Sequence, residues 1–372
     1  MLKPKKPVSS ANPAVLFETI TISCHESEIP FFVERELEKL YENIHCSLAF
    51  LRRFRALDNV STYVVRKGAR PITVLLFKCE NGTATVLNET IKIDEHEIHR
   101  FADFMFARYR GIVVISFHAI QTTIGTMPFP SQKCVETEDF SLRLPATPGE
   151  YTARLGKATR DYIKRYSRRI VRSYPSFACE FRPGKDVEEQ TIRGIIAMSR
   201  NRIEGKRKKF ALDEREAQDM IDLSRACGFV QTTLIDGRLC AGSLSFRVGS
   251  HQYLFIIAHD REFDEFRLGT ITYYFTICES IRHGAKEFHM GRGWYEYKRR
   301  LLGVREEFDR LVIYRSYWHM ALQCRRVVKT TCSGYVRRMK FRLLHPHNQN
   351  SIMSRFAVSF LHVVHSLRRN KG

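Results

Sequence analysis

The chain has 372 residues, a formal net charge of +21 and 44% hydrophobic residues. Its length suits two domains of ordinary size, and the lack of any long Ser, Gln or Pro tract excludes a largely disordered protein. Ten cysteines without a CxxC pair exclude a zinc ribbon or a disulfide scaffold, and the excess of Lys and Arg favours anionic partners without choosing among cofactor phosphate, nucleic acid, lipid and acidic acceptor.

In chain order, the start MLKPKKPVSSANPAVLF is basic but lacks the apolar run of a signal peptide, and no window approaches the roughly 18 apolar residues of a membrane span. A cytoplasmic protein is expected. Helices are expected within 30–55, strands near 61–66, 71–79 and 83–89, a helix at 94–109 and a strand at 111–117. A single helix over 151–172 is then expected to join two halves, with Tyr151, Leu155, Ala158, Tyr162, Tyr166 and Ile170 as its apolar stripe and Lys157, Arg160, Lys164, Arg168 and Arg172 as a basic one.

The second half repeats the order of the first. Helices at 187–202 and 212–227 precede apolar runs at 229–235, 238–248 and 251–259, separated by Asp236-Gly237 and Gly249-Ser250, which predict an antiparallel meander. A helix follows, ending at Gly284, and then a short strand at 286–290; strand, crossover helix and strand imply one parallel pair, between 251–259 and 286–290. Cys240 and Cys278 sit in apolar runs and read as small buried hydrophobes.

Arg267-Leu268-Gly269-Thr270 stands where that last helix begins, so free N–H groups and the positive helix end converge beside a glycine, the arrangement of a phosphate cradle. A parallel pair inside a mostly antiparallel sheet can splay and leave strand edges for an extended ligand. With the cradle at the end of such a gap, the second half resembles a GNAT domain. GRGWYEYKRRLLG at 291–303 is similar to a segment of the GNAT branch that holds polysaccharide-associated acetyltransferases, related to the tandem-domain Fem aminoacyltransferases.

This resemblance implies an α/β (α+β) fold of tandem GNAT-like domains, with mixed, mostly antiparallel sheets flanked by helices. The expected division is a degenerate GNAT-like domain at 1–150, the acyltransferase domain at 151–320 and a basic helical tail at 321–372. Acetyl-CoA or another acyl-CoA is the implied donor, held by Ile257, Ala258, Arg267, Leu268, Gly269 and Thr270, and the acyl group goes to an amine or hydroxyl on a small-molecule, glycan or lipid-linked acceptor, in polysaccharide or cell-envelope biosynthesis. Family members often carry an acidic residue on the last strand, where this chain has His289, whose ordinary pKa suits proton abstraction. Tyr295 and Tyr297 are the candidates to protonate the departing thiolate, and Lys298, expected on a loop, is the candidate to hold an anionic group.

No His pairs with a carboxylate at ligand spacing, so no metal is expected. Lys206 to Lys209 form a basic run, and 352–367 is an apolar helix pattern flanked by cations, suited to docking on its own domain or to peripheral association with the inner membrane. The alternatives are a Fem-like transferase drawing on aminoacyl-tRNA, in which tRNA is the nucleic-acid partner, and a non-catalytic nucleic-acid-binding protein on the same fold.

Overall fold

The computed structural model describes residues 19–123, 125, 127–205, 210 and 212–344. The basic N-terminal start, the run Lys206 to Lys209 and the helix pattern at 352–367 lie outside the described residues.

The first half opens with β1 (Ile20–His25), α1 (Phe32–Tyr41) and α2 (Leu48–Phe54), followed by β2 (Ser61–Lys67), β3 (Arg70–Glu80), β4 (Thr83–Val86) and β5 (Ile91–Lys92). Asp94 caps α3 (Glu95–Arg108) by accepting the His96 N–H, and the chain returns through β6 (Val114–Gln121) and the long β7 (Ser131–Arg143). Then come α4 (Pro148–Arg154), α5 (Lys157–Ser173), β8 (Ala178–Pro183), α6 (Glu189–Glu204) and α7 (Glu214–Cys227). The second meander is β9 (Gly228–Ile235), β10 (Arg238–Val248) and β11 (His251–His259), and α8 (Leu268–Arg282) crosses over to β12 (Glu287–His289). The last elements are α9 (Glu296–Arg300), β13 (Val304–Tyr314), α10 (Tyr317–Leu322) and α11 (Cys324–Leu344). No described helix is long and apolar enough to cross a membrane.

Turn chemistry sets the hairpins. Asn81-Gly82 (φ 48° and 72°) joins β3 to β4, and Asp236-Gly237 (φ 50° and 77°) joins β9 to β10; positive φ at both central residues gives the turn whose twist matches paired strands. In each half the meander ends in a strand that pairs in parallel across one helix: β4 with β6 over α3, and β11 with β12 over α8. The repeated order read from sequence is thus repeated in space.

The two meanders belong to one sheet, in the order β1-β2-β3-β4-β6-β13-β7-β12-β11-β10-β9-β8, with β5 added beside β6. The centre is an exchange. β13, from late in the chain, lies between β6 and β7, while β7, from the first half, lies between β13 and β12. Charges match along the shared edge: Arg305 bonds Glu138 at 2.5 Å, Arg310 meets Glu136 at 2.9 Å and Lys133 meets Asp309 at 3.3 Å. Helices cover both faces. α3 packs Ile98, Phe101, Ala102 and Met105 against the first meander, α6 and α7 cover one side of the second, and α8 covers the other, where Cys240 and Cys278 are buried as expected.

The single helix expected over 151–172 is two. Leu155 is extended (ψ 144°) and buried, so its side chain enters the core beside Tyr151 while the backbone turns at Gly156. The Arg160 guanidinium reaches back to the Ala153 and Leu155 carbonyls at 2.7 and 2.8 Å, capping the shorter helix and leaving the basic stripe. Lys157, Lys164, Arg168 and Arg172 remain exposed, whereas Ala158, expected in the apolar stripe, is exposed too and Ile163 takes the buried place.

Candidate functional site

β11 and β12 pair only from His251–Glu287 to Tyr253–His289. Beyond that point β12 ends, whereas β11 runs on to His259, so one edge of β11 loses its partner, as a splayed parallel pair requires. Asp260 N–H bonds the Cys240 carbonyl, and antiparallel alternation therefore turns Ala258 toward β10 and Ile257 toward the vacated edge. Of the two strand residues named from sequence, Ile257 offers its N–H to that edge.

The α8 N-terminus lies past the far end of β11. Arg267 adopts a left-handed backbone (φ 54°, ψ 37°) as the residue before the helix, and its carbonyl takes the N–H groups of Thr270 and Ile271, so of the first-turn donors that of Gly269 is both uncommitted and accessible. Leu268 is fully buried and anchors the turn. Gly269 has the ring of His259 against it: a Cβ there would meet Nδ1 at 2.8 Å. The acidic loop before α8 is neutralised in place, with Asp264 on His259 (2.8 Å), Glu262 on Arg238 (2.9 Å) and Glu265 on Arg169 of α5. The Arg267 guanidinium, beside the Tyr166 hydroxyl, holds that phenol below its usual range. A diphosphate at the Gly269 N–H therefore meets a positive helix end and Arg267, with the nearby carboxylates already paired; the residues fit the group.

At the point where the strands part lies a chain of polar side chains. His289 Nδ1 sits 2.7 Å from Asp139 Oδ2, its Nε2 lies 3.3 Å from His251 Nδ1, and His251 Nε2 lies 3.1 Å from Glu42 Oε2. Tyr253 stacks flat on His289 with ring centres 4.1 Å apart and donates its hydroxyl to the Glu42 carbonyl at 3.0 Å. His289 is 9% exposed. Asp139 reaches it from β7, two residues along from Ser141, the register partner of His289. The position of His289 on β12 holds an imidazole and no carboxylate, and a neighbouring strand of the first half brings Asp139 to its Nδ1.

A small cleft opens beside this pair, lined by Asn43, His45, Asp139, Tyr253, His289 and Arg292 among others. Burial, with Arg292 nearby, pushes the His45 imidazole down to about 4, so it is neutral at pH 7 and can both donate and accept. Asn43 is committed to structure, its amide donating to the Thr90 and Glu89 carbonyls at 2.7 and 3.2 Å.

Lys298 belongs to α9 rather than to a loop. It is 2% exposed, and its ammonium donates to the Gly291 and Arg292 carbonyls at 2.7 and 2.9 Å, lying over the Phe140 ring. Burial pushes its pKa down to about 8, against the opposing pull of Asp139 and Glu138. Its contact with the cleft is thus indirect, through the backbone of the loop that lines it. Tyr295 is 52% exposed and stacks on Tyr297, which is 37% exposed, leans on Tyr273 and is pushed up to about 12, mainly by its partial burial. The Tyr297 phenol therefore keeps its proton at neutral pH, as a proton donor must.

Sequence reasoning missed Asp139, His251, Glu42 and His45. It also found no metal-ligand spacing, yet the parallel register sets His251 opposite Glu287, and His251, Glu287 and His289 place their ligand atoms within 4.8 Å of one another.

Residues 157–299 match the family model described as an acetyltransferase (GNAT) domain. Among solved structures, FemX matches with a TM-score of 0.55 at 10% identity, over 77% of this chain and 96% of that one, a likeness of fold. L-PGS from Bacillus licheniformis has a TM-score of 0.49 at 12% identity, covering 81% and 97% of the two chains. A tandem GNAT protein from the clavulanic acid biosynthesis pathway has 0.40 at 12%, covering 79% and 98%. No curated protein matches the chain by sequence.

Proposed function

From the premise that this chain has the GNAT fold and carries a GNAT domain at residues 157–299, we propose that it transfers an acyl group, acetyl in the simplest case, from acyl-CoA to an amine or hydroxyl. The observation that carries the reading is the parting of β11 from β12, with a helix N-terminus at one end and the Asp139–His289 pair and its cleft at the other. The donor's diphosphate binds at the N–H of Gly269 beside Arg267 and Thr270, with Leu268 buried beneath as the anchor of the turn, and its arm lies along the vacated edge of β11. There the Ile257 N–H faces the thioester carbonyl. The acceptor enters the cleft, where His289, oriented by Asp139, removes its proton as it attacks, and Tyr295 or Tyr297 returns a proton to the departing thiolate.

In this reading the segment 151–320 supplies donor binding, while 1–150 supplies part of the acceptor site through His45 and Asp139. A glycan or lipid-linked acceptor at the cytoplasmic face of the membrane fits the resemblance of the 291–303 segment and the cations of the tail. Calorimetric titration with acetyl-CoA and with 3'-dephospho-CoA tests the donor. Saturable micromolar binding that raises the melting temperature supports it, since ligand at about 100 times Kd adds about 2.7 kcal/mol to stability. Absence of binding at millimolar cofactor refutes it.

A second reading draws the acyl group from aminoacyl-tRNA. The exposed cations Lys157, Lys164, Arg168 and Arg172 on α5 favour it, as does the FemX fold. Binding of tRNA that weakens steeply with salt, together with indifference to acetyl-CoA, is its signature.

A further inference from the structure

We propose that His251, Glu287 and His289 form a binding site for a divalent transition-metal ion, zinc by donor type. The two imidazoles present facing nitrogens, Nδ1 of His251 and Nε2 of His289, 3.3 Å apart, and Glu287 Oε1 lies 3.6 Å from the latter. Two nitrogens on a tetrahedral ion at about 2.0–2.1 Å each are about 3.3–3.4 Å apart, so the spacing already matches.

The remaining nitrogens carry the second observation. His251 Nε2 is held by Glu42 at 3.1 Å and His289 Nδ1 by Asp139 at 2.7 Å. A carboxylate behind each imidazole fixes its tautomer and raises the basicity of the nitrogen that faces the ion, which is how histidine ligands are ordinarily oriented. Glu42 is itself fixed, accepting from Ser250 N–H and Oγ at 3.1 Å each. The donor set is two imidazoles and one carboxylate, which suits zinc and neighbouring ions and not magnesium or calcium, and it leaves a fourth position for water.

The site is assembled from distant segments. Parallel register puts His251 opposite Glu287, His289 follows two residues on the same strand, and the supporting carboxylates come from the end of α1 and from β7. An ion there occupies the Nε2 lone pair of His289, so loaded protein would be slow in acyl transfer. That consequence rests on the preceding functional reading, whereas metal binding does not.

The test uses the full chain, stripped with EDTA, desalted and titrated with Zn²⁺ and, separately, with Co²⁺. One equivalent of zinc retained through gel filtration is expected, with cobalt showing visible bands of a four-coordinate ion and no thiolate charge-transfer absorption. His251→Gln and Glu287→Gln should lose retention, and Glu42→Gln should weaken binding by about 10–100-fold, as supporting carboxylates do. Circular dichroism of the metal-free variants separates loss of the site from loss of the fold, and Glu42→Gln keeps the test decisive if the other two fold poorly. Zinc affinity unchanged in all three variants, a six-coordinate cobalt spectrum, or a thiolate band marking the free cysteines overturns the proposal.

Discussion

Gly269 offers the sharpest test of the donor site, because the structure separates the steric consequence of a side chain there from the electrostatic one. A Cβ at this position meets His259 Nδ1 at 2.8 Å and Cε1 at 2.9 Å, so the imidazole, held by Asp264 at 2.8 Å, must turn away. Overpacking of this kind costs about 1–3 kcal/mol, and alanine recovers about 1 kcal/mol of helix propensity over glycine, leaving Gly269→Ala about 0–2 kcal/mol less stable. Gly269→Asp adds a carboxylate in the first turn of α8, which the helix dipole favours by about 0.3–1 kcal/mol, so it too should fold. Toward a bound diphosphate the same carboxylate is repulsive: at about 5 Å and an effective dielectric of about 20 the interaction is about 3 kcal/mol, a little over 100-fold in affinity. Calorimetry with acetyl-CoA, alongside urea melts, should show a modest effect for alanine and near-complete loss for aspartate, and His259→Ala should relieve the stability cost of Gly269→Ala in a double-mutant cycle. Full acetyl-CoA affinity in a folded Gly269→Asp protein would refute the cradle.

Asp139→Asn should lower kcat by about 10²–10⁴ while leaving acetyl-CoA affinity unchanged, because the carboxylate supports the base and lies outside the donor groove; a thiol-release assay with an acceptor found by screening checks it. Lys298 has a folded pKa of about 8 against an ordinary 10.5, so between those values the unfolded chain binds more protons and stability rises with pH. The change is about 3 kcal/mol, fully imposed below pH 8, and should appear as the difference between wild type and Lys298→Met in urea midpoints from pH 7 to 10.5. Asn88 is fully buried, accepts the Leu76 N–H at 2.8 Å and donates to the Val74 carbonyl at 3.2 Å; Asn88→Ala leaves the Leu76 N–H unpaired, while Val74 keeps the Tyr41 hydroxyl at 3.0 Å, and should cost about 1–3 kcal/mol by denaturant melt. Arg315 donates to the Phe106, Tyr109 and Ile112 carbonyls at 2.6–2.8 Å, closing the end of α3 from the end of β13, and Arg315→Lys should cost about 2 kcal/mol because an ammonium cannot span all three.

Elements with local signatures were legible in the sequence. Asp236-Gly237 specifies its own turn, the spacing of Ile98, Phe101, Ala102 and Met105 defines a helix face, and the strand–helix–strand order around 251–290 requires a parallel pair with a helix start at Gly269. These follow from backbone geometry within a few residues, so no distant contact is needed to read them. The central strands were not legible. SQKCVETEDFSLR and VREEFDRLVIY carry five charges each and show no strand pattern strong enough to assign until each is set against the other, when Arg305 finds Glu138 and Arg310 finds Glu136. The break between α4 and α5 was hidden for the same reason, since the buried place of Leu155 and the reach of Arg160 are set by the core and not by helical spacing. So was the polar chain of the site. His289 stood out as a histidine at a strand end, but Glu42, Asp139 and His251 lie 247, 150 and 38 residues away from it, and only strand exchange and parallel register bring them to its ring. Local sequence determines the elements that carry their own turn or periodicity signal; whether charged segments become strands, and which charges face one another, depends on pairing between segments far apart in the chain, and the tertiary structure alone decides that.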